Sequence, residues 1–408
     1  MTDLFRCLGV LSTVAAIALC SAAQAQDRRT VAEPAAPRQV CTDLVPFSKN
    51  DTARLQDAID HCPAGEAVYL ASGEFRSGPL KMKSGVTLWI ERNATLFAIA
   101  DPTAYDKGLR SCATIDQKGD GCRPFISFSK TYGGGIYGDG IIDGLGGAVA
   151  VGSTAWWRLA FRASPGGGKQ NVPHLIQIED AKDITFYGIT LRNAPNFHVA
   201  MNRVEGAIFW GVTIDAPANT RNTDGINVSA SQDVTITQSF IRTGDDNVAI
   251  KAGNNGPTRY VSVIDNCFGW GHGMSIGTEV SSGVSDILVR GLTLDGPTSG
   301  LRIKSDVSRG GLVEKVTYEN VRLRGNQWPI MFDTKDDPHA QGDSIPVYRQ
   351  IVLRHVRGDK GALLMRGLDQ KHALEITLDD VRFADSATWQ VENADVTVGS
   401  SGVSPPLR

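Results

Sequence analysis

What this chain has little of narrows it first. Its formal net charge is only −3 over 408 residues, so nothing in the overall balance favours nucleic acid, and a polyanionic partner would have to be met by a local basic cluster. Aromatic residues make up 7% of the chain and no long helical periodicity runs through it, which argues against a helical bundle. None of the seven cysteines falls in a zinc-site spacing. The single extended apolar run, Leu8 to Cys20, is too short for a confident membrane span.

That run follows Arg6 and ends in the small residues Ala23-Gln24-Ala25, the pattern of a secretory signal cut after Ala25. Residues 1–25 are expected to be removed, leaving a soluble chain that is secreted or periplasmic, with no membrane contact and no lipid anchor. Loss of Asp3 together with Arg6 keeps the charge at −3. Cys7 and Cys20 leave with the signal. In an oxidising compartment the sequence-near pairs Cys41–Cys62 and Cys112–Cys122 are the natural disulfides. Cys267 is left over and reads as a small buried thiol.

What the chain does have is 44 glycines and a repeat. From about residue 175 one unit recurs: a short apolar strand, a polar turn, then a second strand, as in 199-VAMNRVEGAIFWGVTIDAP-217 and 226-INVSASQDVTITQSFIRTG-244. Periods of this size mean an all-β solenoid whose coils stack strand on strand. The ends of such a stack need covers. At the front, 51-DTARLQDAIDHC-62 puts Leu55, Ala58, Ile59 and Cys62 on one helical face, with Asn50 or Asp51 as cap, and is expected to be the N-terminal capping helix. The solenoid is expected to occupy residues 26–396 as one domain, with 397–408 a polar, flexible tail.

Stacked coils bring equivalent positions to about 4.8 Å of one another, so clusters far apart in sequence can form one site. Asn222-Thr223-Asp224, Asp245-Asp246, Gly271-His272-Gly273 and Arg302-Ile303-Lys304 sit beside the first strand of successive coils, with Asp224, Asp245, His272 and Arg302 separated by 21, 27 and 30 residues. Singly, each has a plain structural explanation: turns for the first two, a solvated loop for His272, and a half-buried strand for Arg302 and Lys304. Their stacking is what argues for a site. Adjacent acids with a third one coil below should repel and raise one pKa. Three carboxylates beside a histidine and cations suit hydrolysis of an acidic sugar polymer. One carboxylic acid protonates the leaving oxygen while another carboxylate activates water, and the cations hold sugar carboxylates. Arg221 and Lys251 flank the same face.

The stretches 222-NTDGI-226, 244-GDDNVAIK-251, 271-GHGMSIG-277 and 301-LRIKSD-306 resemble the four signature motifs of glycoside hydrolase family 28, the polygalacturonases. Segments such as 111-SCATIDQKGDGC-122 and 136-IYGDGIIDG-144 extend the resemblance, notably to bacterial endo-acting members. It implies a right-handed parallel β-helix that hydrolyses α-1,4-galacturonosyl bonds of de-esterified pectin with inversion, without metal or other cofactor, and as a monomer. Carried over, Asp245 is the general acid, Asp224 and Asp246 hold and activate water, and His272 helps set the acid's protonation. Arg302 and Lys304 bind galacturonate carboxylates, Lys251 extends the basic strip, and Asn222 shapes the site. One departure stands out: where many relatives carry a cleft tyrosine, this chain has 331-MFDTKDDPHAQ-341, with Lys335, Asp336 and Asp337. Two further candidates stay open. Trp156-Trp157 could stack on sugars or pack over a loop, and His198 could line the cleft. Rival readings are an exo-acting relative, a calcium-dependent pectate lyase on the same architecture, and a non-catalytic β-helix.

Overall fold

The computed structural model describes residues 31–152, 154–163, 167–296 and 298–407; the expected export signal lies outside them. Eleven strands form one sheet in chain order, from Leu80–Lys81 through Ile226–Ser229, Val248–Lys251, Met274–Ile276, Ser299–Lys304 and Trp328–Asp333 to Thr388–Glu392. A 20-stranded sheet takes up the rest of each coil. The coil-to-coil pairings are parallel, with register shifts in the first coils at Val40/Thr42 and Leu70/Ser72. Those that carry the later coils are in register, as in Ile226↔Val248, Val248↔Met274, Met274↔Leu301 and Leu301↔Ile330. The apolar repeat dictates this. Ile226, Val248, Met274, Leu301 and Ile330 form a fully buried ladder, and slipping any strand by one residue would turn its apolar set outward.

The interior is one continuous apolar cluster running from Leu44 to Ala387. Aromatic rings stack on neighbouring coils as their backbones do: Phe186 lies 4.8 Å from Phe209 and 5.9 Å from Phe128, centroid to centroid. In the large sheet each coil bends between its two strands at one residue of left-handed backbone. That residue is Gly188, Gly211, Gln238, Asp265, Gly291 or Asn320 in successive coils. The bend lets a short coil change direction without a long loop, and the glycines take it at no steric cost.

Helix Thr52–His61 buries Leu55, Ala58 and Ile59 against the first strands and ends at Cys62, which is bonded to Cys41. Its first free N–H is taken by Asn50, whose Oδ1 lies 3.0 Å from the Thr52 nitrogen; Asp51 occupies the cap position without a side-chain cap bond. Cys112–Cys122 is formed as expected. Cys267 is buried but disulfide-bonded, not the free thiol expected of it. The tail also departs from expectation. Ala394–Val398 pairs with Leu374–Leu378, and Val403–Ser404 pairs with Val381–Arg382, because the last coil leaves edge groups that the tail satisfies. Trp156 is buried in helix Trp156–Ala163, and Trp157 donates through Nε1 to the Ala194 carbonyl at 2.8 Å, so this pair packs. Among the described residues no helix is long and apolar enough to cross a membrane.

Because Phe186 is fully buried between the stacked ring of Phe209 and the edge-on ring of Phe128, Phe186→Ala is expected to cost about 3–5 kcal/mol, read as a lowered denaturant midpoint.

Candidate active site

The outward positions of the eleven-stranded sheet alternate with the apolar ladders. One outward row holds Asn227, Ala249, Ser275 and Arg302 in register. Ser229 pairs with Lys251 in the next row, and Lys304 continues that row beside Asp333. Asp224, Asp245, Asp246 and His272 stand just before the strands at 226, 248 and 274. All the clusters picked out by their spacing therefore meet along one edge of one sheet.

How two adjacent aspartates share that edge is settled by the turn that carries them. The Asp245 Oδ1 accepts from the Asp246 N–H at 2.9 Å, and its Oδ2 accepts from the Asn222 N–H at 3.2 Å. Beneath them Asn247, fully buried, donates through Nδ2 to the carbonyls of Ile241 at 3.1 Å and Trp270 at 3.0 Å, and accepts from Gly273 N–H at 3.0 Å. That side chain ties the turn to the coils on either side, so the backbone bends and neither acid enters the apolar interior. Asp246 is covered by polar groups instead: its Oδ1 lies 2.7 Å from Ser275 Oγ and 3.2 Å from Arg302 Nη1, and its Oδ2 3.6 Å from Lys304 Nζ.

The acids differ in access. The Asp245 side chain is 26% exposed and that of Asp246 only 4%; Asp224 is buried, with Oδ2 held by Asn227 Nδ2 at 3.0 Å. His272 lies with Nδ1 3.2 Å from Asp245 Oδ1 and is the most open member of the cluster. Their electrostatics differ as well. Burial, reinforced by the negative charges of Asp245 and Asp246 and opposed by Lys251, pushes the Asp224 carboxyl well above the ordinary range. Burial also presses upward on Asp245, but the hydrogen bond and charge of His272, with the two backbone N–H donors, hold it down to about 2. One pKa is raised and another lowered within a single group of acids.

Lys251 pairs with Glu279 at 3.5 Å and lies over the Phe197 ring at 5.5 Å. Burial lowers its pKa, but the charges of Asp224, Glu279 and the two other acids outweigh that and raise it. Arg302 keeps its Nε, and Asn227 its Oδ1, without a hydrogen-bond partner, leaving one donor and one acceptor free on this face. Asn222 takes part through its backbone, in left-handed conformation. His198 does not line the cleft: it is fully buried, with Nδ1 3.1 Å from the Asp224 carbonyl, and burial lowers its pKa to about 4. It holds the coil below Asp224.

Residues 63–401 match the family model "Glycosyl hydrolases family 28". The chain belongs to glycoside hydrolase family 28. It is 41% identical over 382 residues to an endo-polygalacturonase of Pectobacterium parmentieri, covering 92% of this chain and 94% of that protein. A polygalacturonase of Ralstonia solanacearum is 39% identical over 388 residues, with 82% of this chain and 73% of that protein covered. Among solved structures, the polygalacturonase of Erwinia carotovora ssp. carotovora superposes with a TM-score of 0.87 at 39% identity, over 91% of this chain and 100% of that one. An exopolygalacturonase of Thermotoga maritima, 20% identical, shares the fold with a TM-score of 0.72 over 91% of this chain and 94% of that one.

Within this family 28 site, spacing alone missed three residues. Ser275 and Asn227 are small polar residues at outward strand positions; only the register between coils puts Ser275 against Asp246, whereas Asn227 reaches Asp224 three residues back in its own coil. Asn247 is the third. A polar residue immediately after two acids and just before an apolar strand was the available signal. In the loop 331–341, burial raises the Asp336 pKa despite the nearby charges of Lys304 and Arg302, so an acid approaches the basic pair.

The raised Asp224 pKa fixes the sign of a stability effect. The folded state holds this proton more tightly than the unfolded chain, so its contribution is full below about pH 3.9 and is lost as pH rises through the elevated folded value. Asp224→Asn is therefore expected to raise the unfolding temperature at pH 7, with the gain disappearing near pH 3; scans at both pH values read it.

Proposed function

We propose that the chain is an endo-acting polygalacturonase that hydrolyses α-1,4-galacturonosyl bonds of de-esterified pectin with inversion. The observation that carries this reading is the convergence of three carboxylates, one histidine and two cations on a single outward edge of a family 28 fold. The near relatives named endo-polygalacturonase support it.

Access assigns the roles. Asp245, the most exposed of the three acids and the one beside His272, is the general acid; His272 is placed to pass a proton to it. A substrate rich in carboxylates adds negative charge to the site, which raises the proton affinity of Asp245 on binding. Asp246, paired with Arg302 and Lys304, and Asp224, a stronger base for its raised pKa, position and deprotonate the attacking water. Arg302 and Lys304 face the sugar carboxylates with charge-assisted bonds, and Lys251 continues the basic row, with Asn222 shaping the Asp245 turn. Because Asp224 works ionised, the acid limb of kcat/KM should lie above about pH 4.

We further infer a right-handed coil, the hand that parallel crossover connections take, with helix Thr52–His61 covering the open first coil. Residues 1–25 direct export, so that a monomeric enzyme meets pectin outside the cytoplasm. No metal enters the reading. The acid–histidine group whose ligand atoms lie within 4.8 Å of one another is Asp245, Asp246 and His272, but Arg302 and Lys304 already neutralise Asp246, and a divalent cation would meet their repulsion.

Asp245→Asn should lower kcat on polygalacturonate at least about 10²-fold with the unfolding temperature little changed; near-normal hydrolysis would remove Asp245 from the acid role. Products of the wild-type enzyme should form an early ladder of saturated oligomers, undiminished by a chelator. Monomer or dimer from the first time points would mean exo action, and ultraviolet-absorbing products would mean a lyase.

A further inference from the structure

The near-neutral net charge hides one dense patch of arginine away from the cleft. In the 20-stranded sheet, the outward position held by Thr293 is followed on the next three coils by Arg322, Arg357 and Arg382, paired in direct register. All three are exposed, as is Arg324 two residues beyond Arg322. The alternating positions Val321 and Leu323 point into the core, so the guanidinium groups have no choice but to project from the surface. Adjacent coils set them about 4.8 Å apart at the backbone. The row runs along the solenoid axis, as the row of cleft residues does.

Like charges stacked this closely repel, and the structure answers that repulsion only in part. Asp380 accepts from Arg357 at 2.5 Å and from Arg382 at 3.2 Å, with His355 at 2.8 Å on the same carboxylate. One acid thus serves three basic groups. Asp359 spends an oxygen on the Gly325 N–H at 2.9 Å. Asp295 lies in register with Arg324, yet no ion pair joins them among the described residues. Arg322 and Arg324 likewise carry no side-chain partner among the described residues. Between them and Arg357 a depression of about 210 Å³, closed by Gly358 and Asp359, leaves room for a carboxylate-sized group.

Arg357 and Arg382 already spend donors on Asp380 and on the Ser401 carbonyl, so the open forks are Arg322 and Arg324, two residues apart on one strand. Two such donors beside a row of further cations suit a linear polymer with one carboxylate per unit better than a single small anion, because an unpaired guanidinium can take a carboxylate through two parallel bonds. We propose that this arginine ladder is a second binding site for the polyuronate chain, outside the cleft, with Arg322 and Arg324 as its unpaired contacts. The inference rests on the polygalacturonase reading for its choice of ligand. A second point of attachment raises the local concentration of polymer at the cleft without changing the chemistry there.

The test is Arg322→Ala combined with Arg324→Ala, both exposed and neither part of the site described above. KM for long polygalacturonate should rise roughly threefold to tenfold at low salt, with kcat unchanged and the difference erased near 1 M salt. Short oligogalacturonates that fill only the cleft should be cleaved as by the wild type. An unchanged KM on polymer, or an equal rise on oligomers, would overturn the proposal. Retardation of the intact protein in a gel containing polygalacturonate gives a readout that needs no activity. Relative to its own mobility in a gel without polymer, the double variant should be slowed less than the wild type, and equal relative retardation would sink the ladder even if the enzyme reading had failed on its own test. Dextran sulfate is the control polyanion, and an equally large loss of retardation by it would overturn the assignment to a uronate.

Discussion

Parallel pairing of each coil with the next, in register, is the constraint from which the rest of this structure follows. It fixes the spacing between equivalent residues at about 4.8 Å, so every decision made along the sequence is repeated along the axis. An apolar residue becomes part of a buried ladder, and a polar one becomes part of a surface row. The site is a product of the same rule: Asp224, Asp245, His272 and Arg302 are 78 residues apart from first to last, yet they are neighbours because each occupies about the same place in its coil.

The register also explains why the acids can be so close. Three carboxylates on one edge would ordinarily disperse or neutralise one another. Here Arg302 and Lys304 lie three coils beyond Asp224 and two beyond Asp246, with which they pair, while Asn247 prevents the turn from relaxing. The result is an uneven distribution of protons, with Asp224 pushed up and Asp245 held down. That order is the reverse of the one the proposed roles use, an acid at Asp245 and a base at Asp224, so the carboxylates of a bound substrate must move the proton to Asp245.

Much of this was legible in the sequence. The repeat announced stacked strands because apolar residues recur at coil spacing, and the four polar clusters announced a site because their separations matched one coil each. Both disulfides of the front half followed from proximity in the chain. What stayed hidden depends on contacts between coils rather than on local pattern. Nothing local distinguishes Ser275 from any surface serine, and its bond to Asp246 exists only once Val248 is paired with Met274. The tail read as frayed because Gly399, Ser400, Ser401 and Gly402 look like a linker; the structure pairs the short strands on either side of them with the last coil, whose edge would otherwise stay open. His198 read as a possible cleft residue for the converse reason. Its position one coil before Asp224 was right, but it lies just ahead of strand Val199–Asn202, where its ring turns back to the Ala194 N–H and the Asp224 carbonyl and is buried.

The same reasoning bears on how a site for polyanions is built on a protein without positive net charge. Cations spread over the surface would be screened within about 10 Å and would give no preferred line of approach. Concentrated in rows along the solenoid, they act together on a ligand that is itself a row of charges. In the cleft the row is interrupted: Lys251 is answered by Glu279, and beyond Lys304 the acids Asp333 and Glu392 alternate with Arg366, whose Nη2 lies 2.6 Å from Asp333 Oδ2 and whose Nη1 lies 4.0 Å from Glu392 Oε2. Strand Ser299–Lys304 is different: Arg302 and Lys304 share the single acid Asp246, which leaves an excess of positive charge there, beside the three acids. On the polygalacturonase reading proposed above, a polyuronate is held most strongly beside the three acids and more weakly to either side, a distribution of binding that lets products leave.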